Sequence, residues 1–192
     1  MKFLSLVILS LTLSLSSFAQ ENWSVDNAHS NLRFEVGWED FSMRTGEFKV
    51  FNGSITANSR EDLSDASFSL TVDANSVDVI AEKLEGHIKS AQFLDVEQYP
   101  EITFVSNKAT KTGDNTYTAM GKLTIHGIEK DQEVSVTVKG SKETRRGEIL
   151  GLEVSLVVNK SDYGLDWGSP RLGENITLVG HLLYKLEVAD EE

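Results

Sequence analysis

Tyr117-Thr118-Ala119-Met120-Gly121-Lys122-Leu123-Thr124-Ile125 runs into His126-Gly127, and beyond that turn come Val134-Ser135-Val136-Thr137-Val138. The first run places Tyr, Ala, Gly, Leu and Ile at every second position, with hydroxyl, thioether and ammonium side chains between them. Successive strand residues point to opposite faces, so this period of two marks a strand with one buried face. The second run repeats the period after a short turn containing Gly, which makes the pair an antiparallel hairpin.

Working outward, the same period recurs along most of the chain. Leu32, Phe34, Val36 and Trp38 alternate with Arg33, Glu35 and Gly37. Glu47–Phe51 runs through Asn52-Gly53 into Ser54–Ala57, and Ala66, Phe68, Leu70 and Val72 form a further run. Ile102 and Phe104 follow Pro100; Leu152, Val154, Leu156 and Val158 make another strand. Ile176, Leu178, Gly180, Leu182, Tyr184, Leu186 and Val188 make the last long one. One stretch breaks the period: Ile80, Leu84, Ile88 and Ala91 fall at helical spacing, which predicts one helix over about 79–91, with Phe93 and Leu94 just beyond it. The fold class is all-β and antiparallel, with eight or more strands. Period alone fits a closed barrel or a two-sheet sandwich, and runs longer than the usual five or six residues favour a tall barrel. A barrel of eight strands either fills with side chains or holds one small ligand. Ala66, Ala119, Gly121 and Gly180 stand in phase with large apolar residues; they leave room for a ligand or relieve a bend.

The chain has 192 residues, which suits one domain. Met1-Lys2, the apolar stretch Phe3–Leu15 and the small residues Ser17 and Ala19 have the layout of a secretory signal peptide cut ahead of Gln20. The expected organisation is therefore a signal peptide over 1–19 and one barrel domain over 20–192, exported to the periplasm or secreted. The apolar stretch is too short for a confident membrane span. Removing it with Lys2 takes the net charge from −12 to −13. That surface repels nucleic acid and anionic membranes, and no stable membrane insertion is expected. There is no cysteine, so disulfides, thiol catalysis and zinc-thiolate sites are excluded, and stability rests on the core.

Catalytic signatures are thin. His29, His87, His126 and His181 show neither HxH nor HExxH spacing, so a metal site would have to be assembled by the fold. No nucleophile-elbow sequence and no GxxxxGK loop is present, and Glu97 and Glu101 flank Pro100 as a solvated turn would. The expectation is no enzyme, no cofactor and no metal.

Several runs together resemble a known family. Trp23-Ser24-Val25-Asp26-Asn27-Ala28-His29-Ser30 opens the set, followed by Thr45-Gly46-Glu47-Phe48 and Phe51-Asn52-Gly53-Ser54-Ile55. Then come Gly86–Val96, continuing Glu97-Gln98-Tyr99-Pro100-Glu101-Ile102-Thr103-Phe104, then Gly121–Ile128 and Ser161-Asp162-Tyr163-Gly164-Leu165. In this order the set is similar to the YceI family of bacterial periplasmic and secreted proteins, with 87–104 the most specific part. The resemblance implies a lipocalin-like barrel of about eight strands with one helix across it. It also implies a long apolar cavity for a polyisoprenoid chain, of quinone or polyprenyl type, and makes a homodimer reasonable. Two positions depart from the family: Leu94 stands where an aromatic residue is frequent, and Lys160 where an arginine commonly precedes the serine.

On that basis the expected function is non-enzymatic carriage of a long-chain isoprenoid lipid. The alternatives are an interaction or stress-response module with a filled barrel, and an enzyme acting on a bound lipid. The candidate lining residues are Phe34, Trp38, Phe48, Phe68, Leu70, Phe93, Leu94, Phe104, Tyr117, Gly121, Leu123, Leu156, Leu178 and Gly180, with Leu152 and Val154 weaker candidates. Lys83, Lys89, Arg44 and Arg171 are candidates for a basic rim: gathered at the mouth they suit a phosphorylated headgroup, scattered they suit a neutral quinone.

Overall fold

A computed structural model describes residues 20–187. The expected signal peptide and Val188 lie outside the described residues. Twelve strands follow in chain order: β1 (Glu21–Val25), β2 (Asn31–Trp38), β3 (Ser42–Phe48), β4 (Phe51–Ala57), β5 (Ser67–Asp73), β6 (Val77–Val79), β7 (Glu101–Ser106), β8 (Ala109–Lys111), β9 (Thr116–Ile125), β10 (Ile128–Thr144), β11 (Gly147–Asn159) and β12 (Leu172–Leu186). Among the described residues a single α-helix, α1 (Glu82–Lys89), lies between β6 and β7. The hairpin that opens the sequence argument is β9–β10. Ile125 pairs with Ile128 across a two-residue turn, with His126 and Gly127 both at positive φ, as the right-handed twist of the strands requires.

The pairing order β1-β4-β5-β7-β9-β10-β11-β12 returns to β1, which closes an eight-strand antiparallel barrel. Closure leaves no free edge along this ring. It depends on the length of β12, whose C-terminal residues Tyr184–Leu186 pair with β1 while the stretch from Leu172 to His181 pairs with β2. The segments β1/β2, β3/β4 and β5/β6 are thus three long strands, each interrupted once. The interruptions sit side by side. The break at Lys49-Val50 is held to the one at Ala74–Ser76 by the bonds Lys49 N–H to Ser76 O and Asp73 N–H to Val50 O. The break after β1 is fixed by Asp26, whose N–H donates to Leu183 O. Beyond this line β2, β3 and β6 continue as a three-strand flap, and the gap next to β6 is covered by α1.

The helix is shorter than the spacing predicts. Val79 is a strand residue paired with Gly46, and Ile80 is fully exposed rather than on the helix's apolar face. The local chemistry starts the helix at Glu82. Glu82 and Glu85 lie in the first turn, His87 and Lys89 in the last, and Lys89 donates to Glu85 across one turn at 2.6 Å. Leu84 and Ile88, four apart, share the face turned to the barrel.

Candidate ligand-binding cavity

A cavity of about 370 Å³ occupies the interior between the barrel wall and α1. Past the irregularity that follows Leu172, its lining along β12 runs from Ile176 to Tyr184, about 26 Å of extended chain. Barrel strands tilt, so the depth is about 20 Å. A volume of this size spread over such a depth makes a narrow bore, shaped for a chain more than for a fused ring system. The wall is built from the inward residues of the alternating strands, since each strand turns every second side chain inward. At the deep end Tyr184, Phe68 and Val136 close the floor. Burial pushes the Tyr184 phenol well above its ordinary value of 10, so it stays neutral.

Most of the expected lining residues meet on this wall: Phe34, Trp38, Phe48, Phe68, Leu70, Phe93, Leu94, Phe104, Leu123, Leu156 and Leu178, with the weaker candidate Val154. Four others do not. Tyr117 is buried below the floor, its hydroxyl 3.4 Å from Asp62. Leu152 is fully buried in the wall without reaching the bore. Gly121 and Gly180 make room for protein rather than for ligand. A Cβ on Gly121 would lie 2.7 Å from the Phe104 ring and 2.4 Å from Val105 O, and one on Gly180 2.8 Å from Val154 Cγ2. The interior alternation alone does not distinguish a glycine beneath a neighbouring side chain from one beneath a ligand.

The loop from Lys160 to Leu172 supplies lining residues that the strand pattern passes over. Leu165, Trp167 and Leu172 all reach the cavity. Trp167 stacks on His87 of α1 with ring centroids 5.1 Å apart and meets Phe93 edge-on at 6.4 Å. The helix and the loop therefore close over the bore through aromatic contact. The loop is anchored by Lys160, which is fully buried. Its ammonium donates to Ser169 Oγ and lies 3.3 Å from Glu174 Oε1. Ser161 Oγ also donates to Glu174, and these bonds hold the Glu174 carboxyl below its usual range. Lys160 is thus committed to the loop and does not face the cavity.

The exposed lining residues are Arg44, Thr45, Ala81, Lys83 and His87, so the mouth lies between β3 and α1. Arg44 and Arg171 both stand over the Trp38 indole, at 4.9 and 5.2 Å from the ring centre. Arg171 pairs with Glu39, and Lys89 with Glu85. Arg44 and Lys83 have no carboxylate partner among the described residues. Among the described residues no Asp or Glu lines the cavity.

The histidines are dispersed. His29 Nδ1 lies 2.9 Å from Asp26, His126 Nδ1 lies 3.2 Å from Tyr163 O, and His181 is exposed near Glu153. Among the described residues no group of three or more His, Cys, Asp or Glu gathers as a metal site would require.

Comparison with known proteins follows the same outline. The family profile described as YceI-like domain matches residues 23–183. A UPF0312 protein of Pseudomonas putida strain W619 is 30% identical over 168 residues, covering 85% of this chain and 86% of the relative. The crystal structure of BcnA from Burkholderia cenocepacia superposes with a TM-score of 0.73 at 23% identity, over 83% of this chain and 98% of that one. A polyisoprenoid binding domain from Saccharophagus degradans, implicated in plant cell wall breakdown, superposes with a TM-score of 0.67 at 16% identity, over 86% and 98%.

Proposed function

The chain belongs to the YceI-like domain family, and from that premise we propose that it binds a long-chain lipid of polyisoprenoid type in the barrel cavity, as a carrier and not as an enzyme. The observation that carries this reading is the bore itself: about 370 Å³, apolar along its walls, and without a carboxylate. The polyisoprenoid binding domain of Saccharophagus degradans, which shares the fold, supports the same ligand class.

Apolar burial supplies enough free energy without any catalytic group. Each buried CH₂ is worth about 0.8 kcal/mol, so a forty-carbon chain gains on the order of 30 kcal/mol gross as an upper bound. Loss of freedom on association takes back about 4–15 kcal/mol, and the lipid starts from a membrane rather than from water. General acid–base work on a bound lipid calls for a positioned pair, such as a His with a carboxylate. His87 is the one histidine on the wall, and it stacks on Trp167 without an ion pair to a carboxylate among the described residues. The filled-barrel alternative has less support, because the interior holds open volume.

Arg44 and Lys83 at the mouth favour a phosphorylated headgroup over a neutral quinone, since two cations without carboxylate partners suit phosphate oxygens. The site of action in this reading is the periplasm or the extracellular medium, and the recovered protein begins at Gln20. The working unit is a homodimer, which light scattering tests.

Extraction decides the central claim. Protein purified from its own host and treated with organic solvent yields a long-chain lipid at one per chain in mass spectrometry. Recovery of empty protein that takes up no polyprenyl phosphate or quinone on titration overturns it.

A further inference from the structure

The mouth of the bore carries a feature that ligand binding inside the barrel does not require. Phe41, at the tip of the β2–β3 hairpin, is 95% exposed, and Ile80, just ahead of α1, is 101% exposed. No other large apolar side chain among the described residues exceeds 56%. Both sit beside the opening. Phe41 lies between Trp38 and Arg44 in sequence, and Ile80 between Val79 and Ala81, and these four neighbours all line the cavity. Met43, 54% exposed, extends the same apolar rim. The hairpin is held in a specific shape to present Phe41. Glu39 and Asp40 adopt positive φ of 53° and 58°, a conformation that non-glycine residues seldom take, and Phe41 N–H closes the turn onto Trp38 O at 3.2 Å.

We infer that this rim is a docking surface for a phospholipid bilayer, through which the barrel exchanges its lipid. A protruding aromatic and a protruding aliphatic side chain flanked by cations are what an interfacial contact needs. The apolar tips enter the boundary between headgroups and acyl chains, and the cations meet phosphates. Unpartnered cations stand at the same end. The chain as a whole carries −12, which repels an anionic membrane. Around the mouth, Arg44, Lys83 and Arg171 stand among Glu35, Glu39, Asp40, Glu82 and Asp166, so the contact with phosphates rests on the individual cations and not on the net charge of this end. Arg44 and Lys83 are the two rim cations left free of carboxylates. With the bore opening between Phe41 and Ile80, a lipid tail passes from the acyl layer into the barrel without crossing water. The inference extends the lipid-carrier reading, and its contact is a peripheral one that inserts no spanning segment.

The absence of cysteine allows a test confined to each end. Bimane is attached at Ser42→Cys, on the rim, or at Asn115→Cys, ahead of β9 at the opposite end. Phosphatidylcholine vesicles, with and without phosphatidylglycerol, are then added. The expected result is a blue shift at position 42 and none at 115, whether or not residues 1–19 are present. The double variant Phe41→Ser/Ile80→Ser loses about tenfold or more in vesicle affinity. Arg44→Glu/Lys83→Glu removes any gain from phosphatidylglycerol. No shift at either end, equal shifts at both, or a shift at 42 that survives Phe41→Ser/Ile80→Ser overturns the docking surface. Solvent extraction of the same preparations separates the two readings. Stoichiometric lipid without docking sinks only the docking surface, and docking without lipid uptake sinks only the carrier.

Discussion

At the end of the barrel marked by Trp23, Ile55 and Leu150, interior side chains are fully buried, and Leu63 from the β4–β5 loop is buried with them. At the end marked by Trp38, Arg44 and Lys83, the strands have broken into a flap, a helix and a loop stand in for barrel wall, and the interior is open. The long strands β11 and β12 run through both ends, so the difference comes from what meets them. The closed end is a continuous ring whose interior is filled by buried side chains. The open end substitutes the two ring contacts of Trp167, with His87 and Phe93, for a ladder of backbone hydrogen bonds. Stability is thereby concentrated at one end and ligand capacity at the other. The sharpest way to break this contrast is Trp23→Ala. It removes a fully buried ring at the closing pair of β1 with β4 and β12 and costs about 3–5 kcal/mol in urea unfolding. Lipid recovered per folded chain stays unchanged. A parallel loss of lipid would show that the two ends are not separable.

The next effect is smaller and falls on the boundary of the bore. A Cβ on Gly46 would sit 2.4 Å from Phe34 Cζ and 2.6 Å from Val79 Cγ1. Gly46→Ala therefore pushes the Phe34 ring toward the cavity, costing about 1–3 kcal/mol and reducing lipid per chain. If lipid stoichiometry holds while stability falls, the Phe34 ring has moved elsewhere and the bore is wider than its walls suggest.

How far the sequence reads this contrast depends on the residue. Period two reports which face of a strand is buried, so β9, β10 and most of the wall were legible. It does not report which strand meets the last one. Period alone therefore fits barrel and sandwich alike; strand length and the family resemblance favour the barrel, and the pairing of Tyr184–Leu186 with β1 closes it. The helix was legible from Leu84 and Ile88. Ile80 extended the pattern one turn too far because a residue displayed to solvent is indistinguishable, by spacing, from one that is packed. Trp167 and Leu165 escape for a related reason: a loop has no period, although the apolar alternation Tyr163, Leu165, Trp167 between polar neighbours is a usable signal. The meeting of Arg44 with Arg171 on one indole joins positions far apart in the chain, and only the fold brings them together.

Asp26 stands at the junction of the two ends. It accepts from Lys185 Nζ at 2.6 Å and from Ala28 N–H at 3.1 Å, with His29 Nδ1 at 2.9 Å. The Lys185 bond, then the His29 bond, lowers its carboxyl from the ordinary 3.8 to about 2. Because the folded value is the lower one, the unfolded chain takes up the proton first. The stabilisation is whole above about pH 4 and is lost as pH falls from there through about 2. Asp26→Asn should cost about 1–2 kcal/mol at neutral pH, and urea midpoints of the variant should be flatter than those of the parent across that acid window. A variant with the same acid slope as the parent would mean that other carboxylates set it.

The smallest effect probes the contrast most directly, because one substitution is made at each end on neighbouring strands. Leu150 on β11 is fully buried at the closed end, and Leu178 on β12 lines the bore. Leu150→Ala leaves a new void and costs about 2–5 kcal/mol. Leu178→Ala removes atoms that already face empty space, so the void term is absent. The loss is about 1 kcal/mol, below the range for a packed leucine. Lipid changes the second number and not the first, since a chain in the bore gives Leu178 the contacts that the empty barrel lacks. Bound lipid raises the stability of every variant, but the cost of Leu178→Ala relative to the parent should differ between extracted and lipid-loaded protein while the cost of Leu150→Ala should not. If Leu178→Ala in extracted protein costs as much as Leu150→Ala, the bore has collapsed in the empty state and the open end is packed like the closed one.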